Sequence, residues 1–218
     1  MRPLGKVSRE WSPELAYAIG LIATDGCLYG DGRHINLTSK DLDQIKTFAK
    51  ILGLKNQIGE KQSGYSTGKV YYNFQFGDVL FYKFLESIGL TSNKSKTIGE
   101  LNIPDRYFAD FLRGHLDGDG CTYSYFDPRW KSSYMIYTQF ISASNKHLEW
   151  LRNKIDAHCD ISGKITFGTK AFKLRYAKKA SQRLFEFMYY RENLPCLDRK
   201  RKKFALAIHA AVLAVGED

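Results

Sequence analysis

The sequence predicts an α+β protein made of two repeated αββαββα halves. Three observations carry that expectation: a motif that occurs twice, the same order of helical and alternating patterns after each copy, and a basic segment closing each half. The motif is Gly-x-x-x-x-Asp-Gly-Cys-x-Tyr. It runs from Gly20 through Asp25, Gly26 and Cys27 to Tyr29, and again from Gly114 through Asp119, Gly120 and Cys121 to Tyr123.

The first element is a helix over Pro13–Asp25. Ala16, Gly20 and Thr24 share one narrow face, and Asp110, Gly114 and Gly118 repeat that spacing in the second copy. Glycine at the middle of each lets two backbones approach, so Gly20 and Gly114 are the expected helix interface. Each motif is followed by a polar, aromatic stretch and an apolar run ending in serine: Ile35–Ser39 and Phe140–Ser144. Ser39 and Ser144 thereby become matched N-caps of two amphipathic helices, Lys40–Leu52 and Asn145–Ile155.

A second strand pair comes next. Tyr71, Asn73 and Gln75 alternate with Tyr72, Phe74 and Phe76, and the counterpart is Lys164–Phe167 with Ala171–Tyr176. Helices over Val79–Ile88 and Gln182–Tyr190 close the pattern. The basic segments Asn93–Lys96 and Arg199–Lys203 end the halves, and Phe204–Val215 reads as a packed terminal helix. The second half carries an aromatic, basic insertion at Tyr125–Tyr134. The boundary falls at Gly99–Asp105, giving halves 1–100 and 101–218, with Pro104 and Asp105 opening the second repeat's first helix.

Composition narrows the function. The net charge of +10 suits a polyanionic partner, without choosing DNA over RNA. A hydrophobic content of 44% argues against disorder. No apolar run approaches the roughly 20 residues of a membrane span, and Met1–Lys6 has no signal-peptide core, so an intracellular protein is expected, in the cytoplasm, the nucleoid or an organelle. Cys27, Cys121, Cys159 and Cys196 lack zinc-ligand spacing and read as free, mostly buried thiols. His115 reads as a core or helix-surface residue rather than a base.

If the two first helices pack side by side, Asp25 and Asp119 meet at their C-terminal ends. Two carboxylates forced together at helix C-termini are unfavourable, and a divalent cation offsets that cost. Hard oxygen ligands select Mg²⁺ or Mn²⁺, with the carbonyls of Thr24 and Gly118 as further donors.

These residues resemble the LAGLIDADG homing endonucleases, in the single-chain form that carries two motifs. Ala18–Gly26 matches the nine-residue motif at Gly20, Leu21, Asp25 and Gly26. Leu112–Gly120 matches at Leu112, Gly114, Asp117, Asp119 and Gly120. Ala18, Ala23, Arg113 and His115 depart from it. The resemblance implies a pseudo-twofold pair of halves with curved antiparallel sheets that read the DNA major groove. It implies a monomer that makes a double-strand break in a long pseudo-palindromic site, encoded within an intron or free-standing. It implies that Asp25 and Asp119 bind the metals, and that a basic residue near the end of each half, Lys94 (or Lys96) and Lys200, stands beside them. Ser39 and Ser144 match a position that organises water. Candidate DNA contacts are Tyr29, Arg33, Asn36, Tyr71, Asn73, Gln75, Tyr123, Gln139, Lys164, Lys173 and Arg175. An intron maturase or a non-cleaving DNA-binding regulator of the same fold is the alternative.

Overall fold

The computed structural model describes residues 5–62, 70–129 and 134–213. The first half runs α1 (Pro13–Thr24), β1 (Gly26–Leu28), β2 (His34–Ser39), α2 (Leu42–Ile51), β3 (Ile58–Gln62), β4 (Val70–Gly77) and α3 (Val79–Ser87). The second runs α4 (Phe108–Asp117), β5 (Cys121–Phe126), β6 (Tyr134–Ser142), α5 (Asn145–Cys159), β7 (Lys164–Gly168), β8 (Ala171–Ala177), α6 (Lys178–Met188) and α7 (Asp198–Leu213). Both αββαββα patterns are present as the periodicity predicts, and α7 is the expected terminal helix. Met1–Leu4, residues 130–133 of the expected insertion, and the last two residues of the Phe204–Val215 run lie outside the described residues.

Each half builds one antiparallel four-stranded sheet, in the order β1-β2-β4-β3 and β5-β6-β8-β7. One face of each sheet is covered by helices and the other is open. In the first sheet Ile35, Leu37, Phe74 and Phe76 point under the helices and are buried. There Phe48, Phe74, Phe76 and Phe81 form a continuous aromatic core. Phe108, Phe111 and Trp150 do the same in the second half.

Local signals explain the helix starts. Ser12 accepts a hydrogen bond from the Leu15 N–H, with Pro13 at the first helical position. Asp78 caps α3 through the Phe81 N–H, and its other oxygen accepts the Val7 N–H, tying down the N-terminal segment. Ser144 caps α5 at the His147 N–H. Ser39 does not cap α2: Asp41 occupies that place, and the Ser39 hydroxyl accepts the Asp41 N–H instead.

The strand registers correct the repeat alignment in this region. Cys27 pairs with Asn36 and Cys121 with Gln139. Asn36 and Gln139 are therefore counterparts, which makes Ser39 equivalent to Ser142, Asp41 to Ser144, and Gln44 to His147. The expected match of Ser39 with Ser144 is two residues out of register, because the β5–β6 hairpin is longer than the β1–β2 hairpin. The α6 helix also starts earlier than expected, at Lys178 rather than Gln182. The cysteines are free, as expected, but none is buried: Cys27 is exposed and the other three are half-buried.

Candidate active site

The helices α1 and α4 form the seam between the halves and pack more extensively on each other than any other pair of helices. The seam is glycine against glycine. A Cβ on Gly20 would overlap the Phe111 carbonyl oxygen and lie 2.9 Å from the Gly114 Cα. One on Gly114 would overlap the Tyr17 carbonyl oxygen. One on Gly118 would overlap the Thr24 side chain and stand 3.3 Å from a carboxylate oxygen of Asp25. Asp110, grouped with Gly114 and Gly118 by spacing, turns away from the seam. Its carboxylate takes Arg113 at 2.7 Å and the Tyr190 hydroxyl at 3.1 Å.

Asp25 and Asp119 follow the C-terminal ends of α1 and α4 at the foot of this seam, close enough for Asp119 to oppose the charge on Asp25. Asp25 is the C-cap of α1. Burial and the neighbouring Asp119 push its carboxyl up to about 6, against the pull of Lys200 and Lys94. Burial also raises Asp119, opposed by the same two lysines. Lys94 is almost wholly buried, and its Nζ donates to the carbonyl of Gly26. Lys96 is exposed, so Lys94 is the lysine that reaches the motif. Lys200 matches it from the other half: its Nζ lies 2.8 Å from the carbonyls of Leu116, Asp117, Gly118 and Gly120. Gly26 and Gly120 are the same motif position, so the two lysines hold equivalent carbonyls. Burial lowers both ammonium groups.

A cleft of about 400 Å³ opens beside Asp25, lined also by Thr38, Ser39, Gln44, Tyr71, Asp117, Gly118 and Arg199. Gln44 was not singled out by the sequence. Its amide accepts the Ser39 hydroxyl at 2.5 Å and donates to the Asp117 carbonyl at 3.1 Å, crossing from one half to the other. Ser144 sits elsewhere, with its hydroxyl donated to the Ile98 carbonyl at 2.5 Å. The Thr24 hydroxyl turns back to the carbonyls of Gly20 and Leu21.

Asp117 of the second motif, and the departures Arg113 and His115, have structural partners. Asp117 accepts the Tyr17 hydroxyl at 2.9 Å and the Leu197 N–H at 2.7 Å, which anchors the segment leading into α7 and so positions Lys200. Arg113 is wholly buried, with its guanidinium satisfied by Asp110 and by the carbonyls of Met188 and Pro195. His115 lies in the core, 3.1 Å from the His147 ring nitrogen.

The strand residues proposed as DNA contacts share the open faces. Asn36, Tyr71, Asn73 and Gln75 line the first sheet; Tyr123, Gln139, Lys164, Lys173 and Arg175 line the second. Asn36 and Gln139 are only 4% and 6% exposed, hemmed in by neighbours on the same face. Tyr29 and Arg33 lie in the β1–β2 turn rather than in a strand.

Two neighbouring carboxylates, partly desolvated, suit a hard divalent cation. The Gly118 carbonyl already accepts from Lys200. Among the described residues no cluster of three or more acidic, His or Cys side chains forms a metal cage, so further ligands would come from backbone, water or a bound phosphate.

Residues 12–89 match the family model for a LAGLIDADG-like domain. No curated protein sequence matches the chain. Among solved structures, the homing endonuclease I-WcaI bound to its DNA recognition sequence is 13% identical with a TM-score of 0.65, covering 92% of this chain and 88% of that one. The LAGLIDADG meganuclease I-AabMI bound to uncleaved DNA is 16% identical with a TM-score of 0.62, covering 95% and 92%. Full-length DUF199/WhiA from Thermatoga maritima is 15% identical with a TM-score of 0.56; the match covers 90% of this chain and 61% of that protein. No helix among the described residues is long and apolar enough to cross a membrane. Residues 12–89 thus match a LAGLIDADG-like domain, and the chain as a whole shares its fold with LAGLIDADG homing endonucleases.

Proposed function

We propose that this protein is a divalent-metal-dependent endonuclease that cuts both strands of a long pseudo-palindromic DNA site. The carrying observation is the placing of Asp25 and Asp119 at the foot of the α1–α4 seam, each with a lysine, the buried Lys94 or the half-buried Lys200, on the carbonyl of its own motif glycine. A protein that only binds a polyanion gains nothing from paired carboxylates next to phosphates. The two open sheet faces carry the Tyr, Asn, Gln, Lys and Arg side chains that suit base edges and phosphates.

Asp25 and Asp119 would hold Mg²⁺ or Mn²⁺. Such an ion, when bound, supplies Lewis acidity towards phosphate and a more acidic water. The chain's own residues supply the rest. Lys200, with its Nζ set among carbonyl acceptors, would supply positive charge beside the carboxylates. Lys94 places equivalent charge on the other side. The Ser39–Gln44 pair presents a fixed polar edge to the cleft beside Asp25, where it can orient water.

DUF199/WhiA shares this fold, and the open sheet faces would serve a second reading equally: a binding protein that recognises nucleic acid without cutting, or an intron maturase. A randomised duplex pool incubated with Mg²⁺ separates the two. The endonuclease reading expects the wild type to cut one sequence in both strands. Asp25→Asn and Asp119→Asn should each lower cleavage at least about a hundredfold while binding persists. Tight, selective binding with no cleavage in Mg²⁺ or Mn²⁺ would sink it.

A further inference from the structure

We propose that Arg175, held on a stack of tyrosine rings, reads a guanine in the half of the DNA site that lies against the second sheet. The inference rests on the DNA-cutting function above and specifies which base one position of that site must carry.

The strand register places Arg175 in a row that crosses the second sheet from Cys121 through Gln139 and Arg175 to Lys164. Cys121 is two residues beyond Asp119, so this row is the one closest to the carboxylates. Arg175 is exposed on the open face. Its guanidinium carbon lies 5.5 Å from the Tyr137 ring centre and 5.9 Å from that of Tyr123. Those rings stack on each other at 5.3 Å and 23°, and Tyr125 extends the stack over Tyr137 at 6.1 Å and 20°.

The chemistry follows from what holds the guanidinium. Ring faces attract the cation through the π quadrupole without consuming its N–H donors. No carboxylate among the described residues forms an ion pair with Arg175. Its flat fork is thus steered while its donors stay available, and part of the entropy of ordering a long side chain is already spent before DNA arrives. In the major groove, guanine alone presents two adjacent acceptors, O6 and N7, that match such a fork. Adenine places a donor beside N7, cytosine a donor and thymine a methyl group. The equivalent row of the first sheet ends in Gln75, beyond Cys27 and Asn36, and holds no cation. The two half-sites therefore differ at this position.

The test uses the full chain and a randomised duplex pool, with retained duplexes sequenced. Wild type should fix guanine at one position of one half-site. Arg175→Gln should reduce that preference by roughly tenfold or more, or move it to adenine, and leave the other positions unchanged. Because Arg175 is exposed, this variant should melt with the wild type. The double variant Tyr123→Leu, Tyr137→Leu should weaken the same preference while Arg175 is still present. If Arg175→Gln retains every base preference, or lowers affinity equally for all sequences as a phosphate contact would, the assignment is wrong and the cutting function stands. A wild type that enriches no sequence overturns both.

Discussion

A single buried imidazole shows how much of this protein is polar chemistry placed where apolar residues would be simpler. His147 is wholly enclosed; its Nδ1 faces the Gly99 carbonyl at 2.8 Å and its Nε2 faces His115. Burial holds it down to about 4, and burial also pushes His115 well below the usual imidazole value. An imidazole with a depressed folded value binds fewer protons than it does unfolded, where it titrates near 6.5. Its contribution is complete above about pH 6.5 and is lost as pH falls towards 4. The loss for His147 is on the order of 2–3 kcal/mol. Asp25 and Asp117, both raised to about 6, act in the opposite sense over part of this range, so the comparison must be with a variant. His147→Gln should flatten the fall in melting temperature between pH 6.5 and 4. Parallel curves for variant and wild type would show that the histidine takes up its proton as readily folded as unfolded, against the depressed value.

At the scale of elements, the contact of α1 with α4 determines where the carboxylates sit. Neither helix has room for a methyl group at its central glycine, because the blocking atoms are backbone and cannot rotate away. Gly20→Ala or Gly114→Ala forces the helices apart, at a cost of about 1–3 kcal/mol or more. The same displacement separates Asp25 from Asp119. Such a variant should lose cutting by a larger factor than it loses DNA affinity, since the candidate DNA-contacting side chains lie on the sheets rather than on α1 or α4. Equal losses in both measurements would mean that the glycines support folding alone. The clamp at the end of α4 works at this scale too: four carbonyls that no helical N–H can reach converge on Lys200, carried by α7.

Over the whole molecule, the sequence revealed whatever duplication had preserved and missed what the halves do to each other. Asp25, Asp119, Gly20 and Gly114 were legible because they recur at identical spacing. Lys94 and Lys200 were legible through the family resemblance, though the choice against Lys96 needed the geometry. Gln44 was invisible because its counterpart is His147, and two unlike residues leave no repeat signal. The serine register slipped because the two hairpins differ in length. The pair between Arg199 and Asp41, at 2.6 and 2.7 Å, joins the halves across most of the chain and follows no local pattern. It is partly exposed and contributes at most about 1 kcal/mol, so it orients more than it stabilises.

The two lysines hold equivalent carbonyls by unequal means. Lys94 sits on a short 3-10 turn and meets one carbonyl, whereas Lys200 rides a long helix, meets four, and is steadied by Asp117 through Leu197. The two strands of a duplex would thus encounter chemically similar but mechanically different surroundings, and they should break one after the other at distinct rates. On supercoiled plasmid carrying the site, nicked circles should accumulate before linear product appears; direct conversion to linear DNA would mean that the unequal mountings leave the timing of the two breaks untouched.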